Sequence, residues 1–243
     1  MKRKLKLIPD SVLFAILLTS SILLLASFFS SLFAESWEVE VPAFSEDGDL
    51  PTVILDAGHG GLDSGAVSVY GDEEKHLNLE VAKKLGAFLE NGGVRVIYTR
   101  TEDVMLESET KAGSKKTRDL LARVELAKKY PEALFVSLHM NTLPIEKYKG
   151  LQVFYTDRND ANRALAQVMQ NSVSSSLQTE NTRKAKNAEG KIYILDRIDQ
   201  PAILIECGFL TNKEEAALLK NDEYQAKLSY VLSRSILDFL CER

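Results

Sequence analysis

The strongest constraint on the fold of this chain is an apolar run that leads directly into a glycine-rich loop. Residues 53–55 are Val-Ile-Leu, and residues 56–61 continue as Asp-Ala-Gly-His-Gly-Gly. An apolar run without alternation predicts a strand that is buried on both faces. The glycines permit a tight turn after the strand, so His59 is predicted at the carboxyl end of a core strand, where α/β sheets bind ligands. The plainer alternative is a histidine that only caps a turn.

A second buried-strand pattern also ends in a histidine. Residues 134–138 are Leu-Phe-Val-Ser-Leu, and His139 follows them. Two histidines at the carboxyl ends of parallel strands can converge on one point above the sheet. Imidazole is a common zinc ligand, and a hydrolytic zinc usually has three protein ligands and one position for water. The chain has three histidines, so the third ligand is either His76 or a carboxylate.

Helical geometry favours Glu74 as the third ligand. Apolar residues at spacings of three and four predict a helix over residues 74–91, ended by Asn-Gly-Gly. Residues two apart lie roughly 200° apart around a helix, so Glu74 and His76 cannot face one metal. Glu74 shares the apolar face, whereas His76 is predicted to be a solvated surface residue. Three polar side chains are predicted to surround the ligands: Asn78, Asn141 and Arg100.

Glu206 is the candidate catalytic base. It lies near the end of an otherwise apolar strand predicted for residues 201–208. A carboxylate there is costly unless it is paired, bound to metal or protonated. The alternative is a side chain that points off the sheet edge into water. A position on the same edge as His59 and His139 suits a base that takes a proton from an activated water.

Strands and helices alternate along the rest of the chain, which predicts a single α/β domain with a mostly parallel sheet and helices on both faces. The remaining strands are predicted at 94–99, 151–156 and 192–195, and residues 101–117 as an exposed loop. The remaining helices are predicted at 118–130, 160–177, near 213–220 and at 222–241.

The amino-terminal segment predicts export. Residues 1–10 are basic and 12–34 carry no charge, so 1–34 is either a signal peptide or a membrane anchor. The uncharged run favours an uncleaved anchor, since a spanning helix needs roughly 20 residues, with its basic end cytoplasmic. Residues 35–51 are predicted to be a linker and 52–243 the catalytic domain.

Charge and cysteine content narrow the functional class. The net charge is −5, and four of the five charged residues in 1–34 are basic, so the body is more acidic than the whole. An acidic body argues against nucleic acid as a partner. Cys207 and Cys241 have no CxxC spacing. Cys207 is predicted to pack as a small apolar residue, and the alternative is a disulfide between the two cysteines.

Four motifs carry a family resemblance. DAGHGGLDSGA, EKHLNLEVAKKL, FVSLHMN and PAILIECGFLTN resemble, in order and spacing, the zinc-dependent N-acetylmuramoyl-L-alanine amidases of bacterial cell walls, the amidase-3 type. The resemblance covers residues 52 to about 240. It implies a twisted six-stranded sheet, zinc bound by His59, Glu74 and His139, and Glu206 as catalytic acid and base. The implied reaction is metal-assisted hydrolysis of the amide between the lactyl group of muramic acid and L-alanine.

Finer features resemble the germination-specific or spore-cortex branch of this family. They are a short domain without wall-binding repeats, the polar insertion 107–117, and the segment TRKAKNAEGKIYIL at 182–195. That branch trims stem peptides so that a deacetylase can form muramic-δ-lactam. The resemblance implies a peptidoglycan substrate and a place on the extracytoplasmic face of the membrane, in the spore intermembrane space or in the wall, with an activating protein partner as an open expectation. The alternatives are an exported zinc peptidase or deacetylase of peptidoglycan, and a non-catalytic wall-binding protein.

Overall fold

A six-stranded sheet forms the frame of the domain in the computed structural model, which describes residues 50–242. Its strands are Thr52–Ala57 (β1), Arg95–Tyr98 (β2), Leu134–Asn141 (β3), Gln152–Tyr155 (β4), Lys186–Asn187 (β5) and Ala202–Phe209 (β6). Their order across the sheet is β2-β1-β3-β6-β4-β5. The first four strands in this order are parallel, whereas β4 is antiparallel to β6 and parallel to β5. The predicted α/β class and mostly parallel sheet are confirmed.

Helices cover both faces of the sheet, as predicted. They are Glu74–Asn91 (α1), Lys115–Lys128 (α2), Ala161–Ser176 (α3), Lys213–Leu219 (α4) and Asp222–Cys241 (α5). Val53 and Leu55 point to the face where α1, α3 and α5 pack, while Ile54 points to the opposite face with α2. The side chains of Val53, Ile54 and Leu55 are all fully buried. This double burial explains why the run is apolar without alternation.

The strand predicted at 192–195 is wrong. This stretch is a turn that leads into a short 3₁₀ helix, Leu195–Arg197. Ile194 and Leu195 are buried in the smaller apolar cluster without pairing to a neighbouring strand. A short apolar run has the same signature in a strand and in a buried turn, so the pattern alone misled the prediction. The strand that pairs with the outer edge of β4 is the two-residue β5, a few positions earlier.

Helix α2 begins three residues before the predicted start at 118. Ser114 caps it, because its side chain accepts a hydrogen bond from the backbone amide of Thr117. Serine is among the favoured residues at this capping position. The lysine-rich end of the predicted 101–117 loop is therefore the first helical turn, and Lys115 and Lys116 belong to α2.

The predicted signal or anchor segment 1–34 and most of the 35–51 linker lie outside the described residues. Within residues 50–242, no helix combines the length and the apolar character needed to cross a bilayer. Cys207 is fully buried, as predicted, and Cys241 is exposed; neither forms a disulfide.

Candidate metal centre

His59 lies in the turn that follows β1, and the turn holds it by both its backbone and its side chain. Its φ angle is 61°, the one positive value at a non-glycine residue in 50–242. The Arg123 guanidinium donates to the His59 carbonyl oxygen at 2.8 Å. The Asp63 carboxylate lies 3.0 Å from Nδ1, so Nε2 is left to face the site. This arrangement fixes the ring orientation and the tautomer of the imidazole.

Glu74 reaches the site from the first turn of α1. Its Oε1 lies 3.3 Å from His59 Nε2 and 2.9 Å from His139 Nδ1. Backbone amides of Ala66 and Met140 donate to its two oxygens, at 2.8 and 3.0 Å. Burial opposes ionisation of Glu74, but the hydrogen bonds and positive charge of both histidines outweigh it and lower its pKa. The carboxylate is therefore held ionised and in a fixed position.

His139 ends the apolar part of β3 and packs across the backbone of the His59 loop. A Cβ atom on Gly58 would lie 2.2 Å from the His139 ring. Only glycine therefore permits this approach at Gly58. The two histidine rings meet edge to face, with centroids 4.9 Å apart. His76, the rejected ligand, is exposed and pairs with Glu73 on the surface, as the helical geometry predicts.

The three predicted ligands converge on one point. One donor atom from each of His59, Glu74 and His139 lies within 4.8 Å of the others. A tetrahedral zinc with ligand distances of about 2.0–2.1 Å holds its ligand atoms roughly 3.4 Å apart. The donor set of two imidazoles and one carboxylate is also one that zinc accepts. The residues present therefore fit a metal ion of this kind.

Glu206 lies beside this cluster because β3 and β6 pair in register, with His139 opposite Glu206. The residue is partly exposed, but its Oε2 atom is buried and has no hydrogen-bond partner within 50–242. Burial raises the pKa of Glu206 to about 7, helped by the charge of Glu74 and opposed by the histidines. A buried acceptor without a partner is costly in a purely structural role. It is suited to a group that exchanges protons.

The polar residues predicted around the ligands have different surroundings. Asn78 is fully buried and donates to the Gly58 carbonyl oxygen and to Glu74 Oε1, at 3.1 and 3.3 Å. Arg100 is buried and donates to four backbone carbonyl groups, two of which lie in the His59 loop. Asn141 lies at a β-bulge, where its carbonyl accepts the Leu210 amide. Asn78 thus contacts a candidate ligand directly, while Arg100 orders the loop.

Sequence reasoning missed a buried ion network behind His59. Arg123 on α2 donates to Asp56, to Asp119 and to the carbonyl groups of residues 57 and 59. Asp56 also accepts hydrogen bonds from Thr99 and Ser137. The one sequence signal of Arg123 is its position on the buried face of α2, together with Val124 and Ala127. Asp63 carries no comparable signal, since an aspartate in a turn is ordinary.

The chain that carries this site also matches a known protein family. A family model described as N-acetylmuramoyl-L-alanine amidase matches residues 53–238. This chain belongs to that amidase family. The matched region contains all four residues of the candidate site.

Three relatives of this amidase are informative. The germination-specific N-acetylmuramoyl-L-alanine amidase of Bacillus subtilis is 37% identical over 195 residues, which cover 79% of this chain and 80% of the relative. The CwlD amidase of Clostridioides difficile, solved in complex with the GerS lipoprotein, has a TM-score of 0.74 and 34% identity, covering 79% and 100%. The amidase AmiC2 of Nostoc punctiforme has a TM-score of 0.68 and 33% identity, covering 79% and 98%.

Proposed function

We propose that this amidase hydrolyses the amide between the lactyl group of N-acetylmuramic acid and L-alanine of the stem peptide, with zinc held by His59, Glu74 and His139. The observation that carries the proposal is the register pair of His139 and Glu206, which brings a buried carboxylate beside three converging metal-ligand atoms. Membership of the amidase family supplies the bond that is cut.

Glu206 is the group that moves protons in this proposal. When bound, zinc supplies a water whose pKa is lowered toward about 7 and polarises the scissile carbonyl. Glu206 accepts a proton from the attacking water and returns one to the alanine nitrogen as the C–N bond breaks. The products are a lactyl carboxylate and a peptide with a free amino terminus. Because burial raises the pKa of Glu206 to about 7, the group can accept and donate near neutral pH.

Asp63, Asn78, Arg100 and Arg123 act as positioning residues in the same proposal. Asp63 orients the His59 ring, and Asn78 bridges Glu74 to the loop that carries His59. Arg100 and Arg123 fix the carbonyl groups of that loop. Partners of this kind typically change metal affinity or activity by about 10–100-fold when they are removed.

A role in spore-cortex maturation is the proposed biological setting. It is supported by the germination-specific name of the Bacillus subtilis relative and by the likeness to CwlD. Since that solved relative is in complex with a lipoprotein, the proposal includes a protein partner on the extracytoplasmic side of a membrane. Residues 1–34, as a signal or anchor, would bring the chain there.

The test is a muropeptide digest. Purified sacculi of cortex and vegetative type are treated with the full chain and with the Glu206→Gln variant, and the products are analysed by mass spectrometry. The expected products are intact stem peptides with a new amino terminus on L-alanine and glycan strands with free lactyl carboxylates. Glu206→Gln should reduce the rate by about 10²–10⁴-fold, the usual contribution of a positioned general base.

Other products would identify the rival functions. Shortened peptides that remain attached to glycan would indicate a peptidase, and free amino sugars would indicate a deacetylase. Binding to sacculi without any product, in the presence of zinc and the native membrane fraction, would indicate a wall-binding protein. Activity that survives complete metal removal would contradict the ligand assignment.

A further inference from the structure

A cavity of about 250 Å³ opens beside the candidate metal centre, on the face of the sheet covered by α2. His59 and His139 belong to its lining. Lys116 and Leu120 of α2 form one part of its wall, and residues 191–194 form another part. Because two candidate metal ligands line the cavity, a group held there would lie close to the bond that is cut.

Both parts of the wall come from segments in which the sequence resembles the spore-cortex branch. One is the start of α2, which overlaps the end of the polar insertion 107–117. The other is the end of the segment 182–195, which was predicted to be a strand and is a turn. Neither part of the wall contributes a candidate metal ligand or the candidate base. The cavity is therefore built by segments other than those that carry the metal centre.

The 191–194 wall is held in place by its own contacts. The Lys191 amide donates to the Ala188 carbonyl oxygen at 2.9 Å, which closes a turn. The Arg197 guanidinium stacks on the Tyr193 ring at 3.6 Å. Ile194 is buried in the smaller apolar cluster. Lys191 thus projects from a fixed turn at the edge of the cavity.

The charges around the cavity leave one cation available to a ligand. The Asp63 carboxylate pairs with His59 Nδ1 at 3.0 Å and with Lys116 Nζ at 3.2 Å. The two other carboxylates of the lining, Asp56 and Asp119, bind Arg123. Lys191 is exposed and forms no ion pair with any residue between 50 and 242. An anionic group on the ligand is the natural complement of this lysine.

The proposed substrate has an anion at a suitable place. After the scissile amide, the stem peptide continues with L-alanine, whose methyl group suits the apolar side chains of Leu120, Ile192 and Leu204 in the lining. Where the second residue is a glutamate linked through its side chain, its α-carboxylate is free. This carboxylate follows alanine by one residue, so it can reach the rim when alanine occupies the cavity.

We infer that the cavity between α2 and residues 191–194 is the subsite for the first two residues of the stem peptide, with Lys191 binding the free α-carboxylate of the second. The inference rests on the proposed function, since it takes the scissile amide to lie at the metal. It assigns Lys191 to substrate selection and gives it no part in the bond cleavage.

Direct binding separates this inference from the proposed reaction. The probes are two disaccharide dipeptides, N-acetylglucosaminyl-N-acetylmuramoyl-L-alanyl-γ-D-glutamate and its α-amide. Their affinities are measured by calorimetry with the full chain carrying Glu206→Gln, in which turnover is expected to be about 10²–10⁴-fold slower. Lys191→Ala is added to this background, and Lys186→Ala on the exposed β5 strand is the matched control. Lys191→Arg tests whether charge alone restores binding.

The expected result is selective. Lys191→Ala should weaken binding of the carboxylate probe by about five- to tenfold, the size of one charge-assisted contact at a partly exposed site, and should leave the amide probe unchanged. Lys186→Ala should change neither affinity, and Lys191→Arg should restore most of the loss. In the otherwise unmodified chain, Lys191→Ala should raise KM for the carboxylate substrate and leave kcat within twofold.

Several results would overturn the inference. They are an equal loss for both probes, no loss for either, the same loss with Lys186→Ala, or no binding of either probe. Failure of the proposed function would look different. Probe discrimination that depends on Lys191, without any release of peptide by the unmodified chain, would support the subsite and refute the reaction.

Discussion

Glu74 and His76 are two positions apart on α1 but face different surroundings. The Glu74 side chain is buried among two imidazoles and two backbone amides. The His76 side chain is exposed and pairs with Glu73 on the surface. Gly65 makes this arrangement possible, because a Cβ atom there would lie 2.5 Å from Glu74 Oε2. A single carboxylate therefore joins the two histidine-bearing strands.

Metal content should separate Glu74 from His76. Glu74→Ala removes one of three ligands, so zinc affinity should fall by more than the roughly 10–100-fold seen for partners behind a ligand. His76→Ala is the matched control, and zinc should stay near one equivalent. The measurement is elemental analysis after dialysis against a weak chelator. Retention of zinc by Glu74→Ala together with its loss from His76→Ala would reverse the assignment.

Glu206 gives a pH prediction for the metal-free protein. Burial raises its pKa from 4.5 to about 7 in the folded state. Below pH 4.5 the carboxyl group is protonated in both the folded and the unfolded state, so it does not change the free energy of unfolding. As pH rises from 4.5 to 7, the unfolded chain ionises first and the folded state loses stability. Above pH 7 the loss is complete, at about 3 kcal/mol or less.

Glu206→Gln should therefore stabilise the chelated protein increasingly as the pH rises from 4.5 to 7, and by a constant amount above that range. The free energy of unfolding in urea, measured with a chelator at pH 4.5 and pH 8, should be similar to that of the unmodified chain at the lower pH. At pH 8 the variant should be the more stable of the two. An identical difference at both pH values would mean that the folded state does not raise the pKa of Glu206.

At the scale of elements, α2 holds the turn that carries His59 through the side chain of Arg123. Arg123 is 1% exposed and joins α2 to three carbonyl or carboxylate groups of β1 and its turn. Asp119 connects the same network to the backbone amide of Leu106 in the preceding loop. Since His59 has a left-handed backbone conformation, the bond from Arg123 to its carbonyl holds a turn that is otherwise unfavourable.

Arg123→Lys should weaken metal binding more than a substitution that destabilises the fold to a similar extent away from the site. The charge remains, but the planar fork that bonds Asp56 and the His59 carbonyl together is lost. Zinc affinity should fall by about 10–100-fold, as measured by competition with a chromogenic chelator. Gln170→Leu is the control, because Gln170 is buried and bridges β4 backbone groups away from the site. If both variants lose zinc equally, Arg123 is only a folding residue.

The elements that were predictable are those whose signal is local. The β1 and β3 strands are buried on both faces, and consecutive apolar residues in the sequence indicate that burial. The α1 face that carries Glu74 follows from helical spacing. The two-residue β5 strand and the turn at 192–195 are set by pairing with β4 and by burial under the sheet edge. Such contacts between distant segments have no local pattern.

The convergence of His59, Glu74 and His139 could be predicted from the sequence, but the strand pairing beside them could not. No local pattern indicates that β6 pairs with β3, or that His139 lies opposite Glu206. The strand patterns predicted only that Glu206 lies on the same edge of the sheet as the two histidines. The Arg123 network was missed for a similar reason, since a charged residue on an apolar helix face gains its meaning only from the carboxylates and carbonyl groups that receive it.

For the whole molecule, the candidate metal centre joins the β1 loop, α1 and β3 within one domain. An ion bound to three separate elements in the folded state has no comparable site in the unfolded chain. Metal binding at this site would therefore be coupled to folding. The ligands must also be deprotonated, and the charge of Glu74 and Asp63 overcomes burial to raise the pKa of His59. Protons should thus compete with the metal more strongly than they would at an unperturbed histidine.

Zinc should raise the thermal midpoint of the full chain by an amount that depends on both pH and ligands. At free zinc near 1,000 times Kd the stabilisation is about 4.1 kcal/mol, which corresponds to roughly 8–16 °C for a domain of this size. Calorimetry with and without zinc at pH 8 should show this shift, and it should shrink as pH falls through the raised pKa of His59. Glu74→Ala should abolish the shift, whereas Glu206→Gln should keep it because Glu206 is assigned to proton transfer. Loss of the zinc shift in Glu206→Gln would make Glu206 a metal ligand, and the base would have to be sought elsewhere.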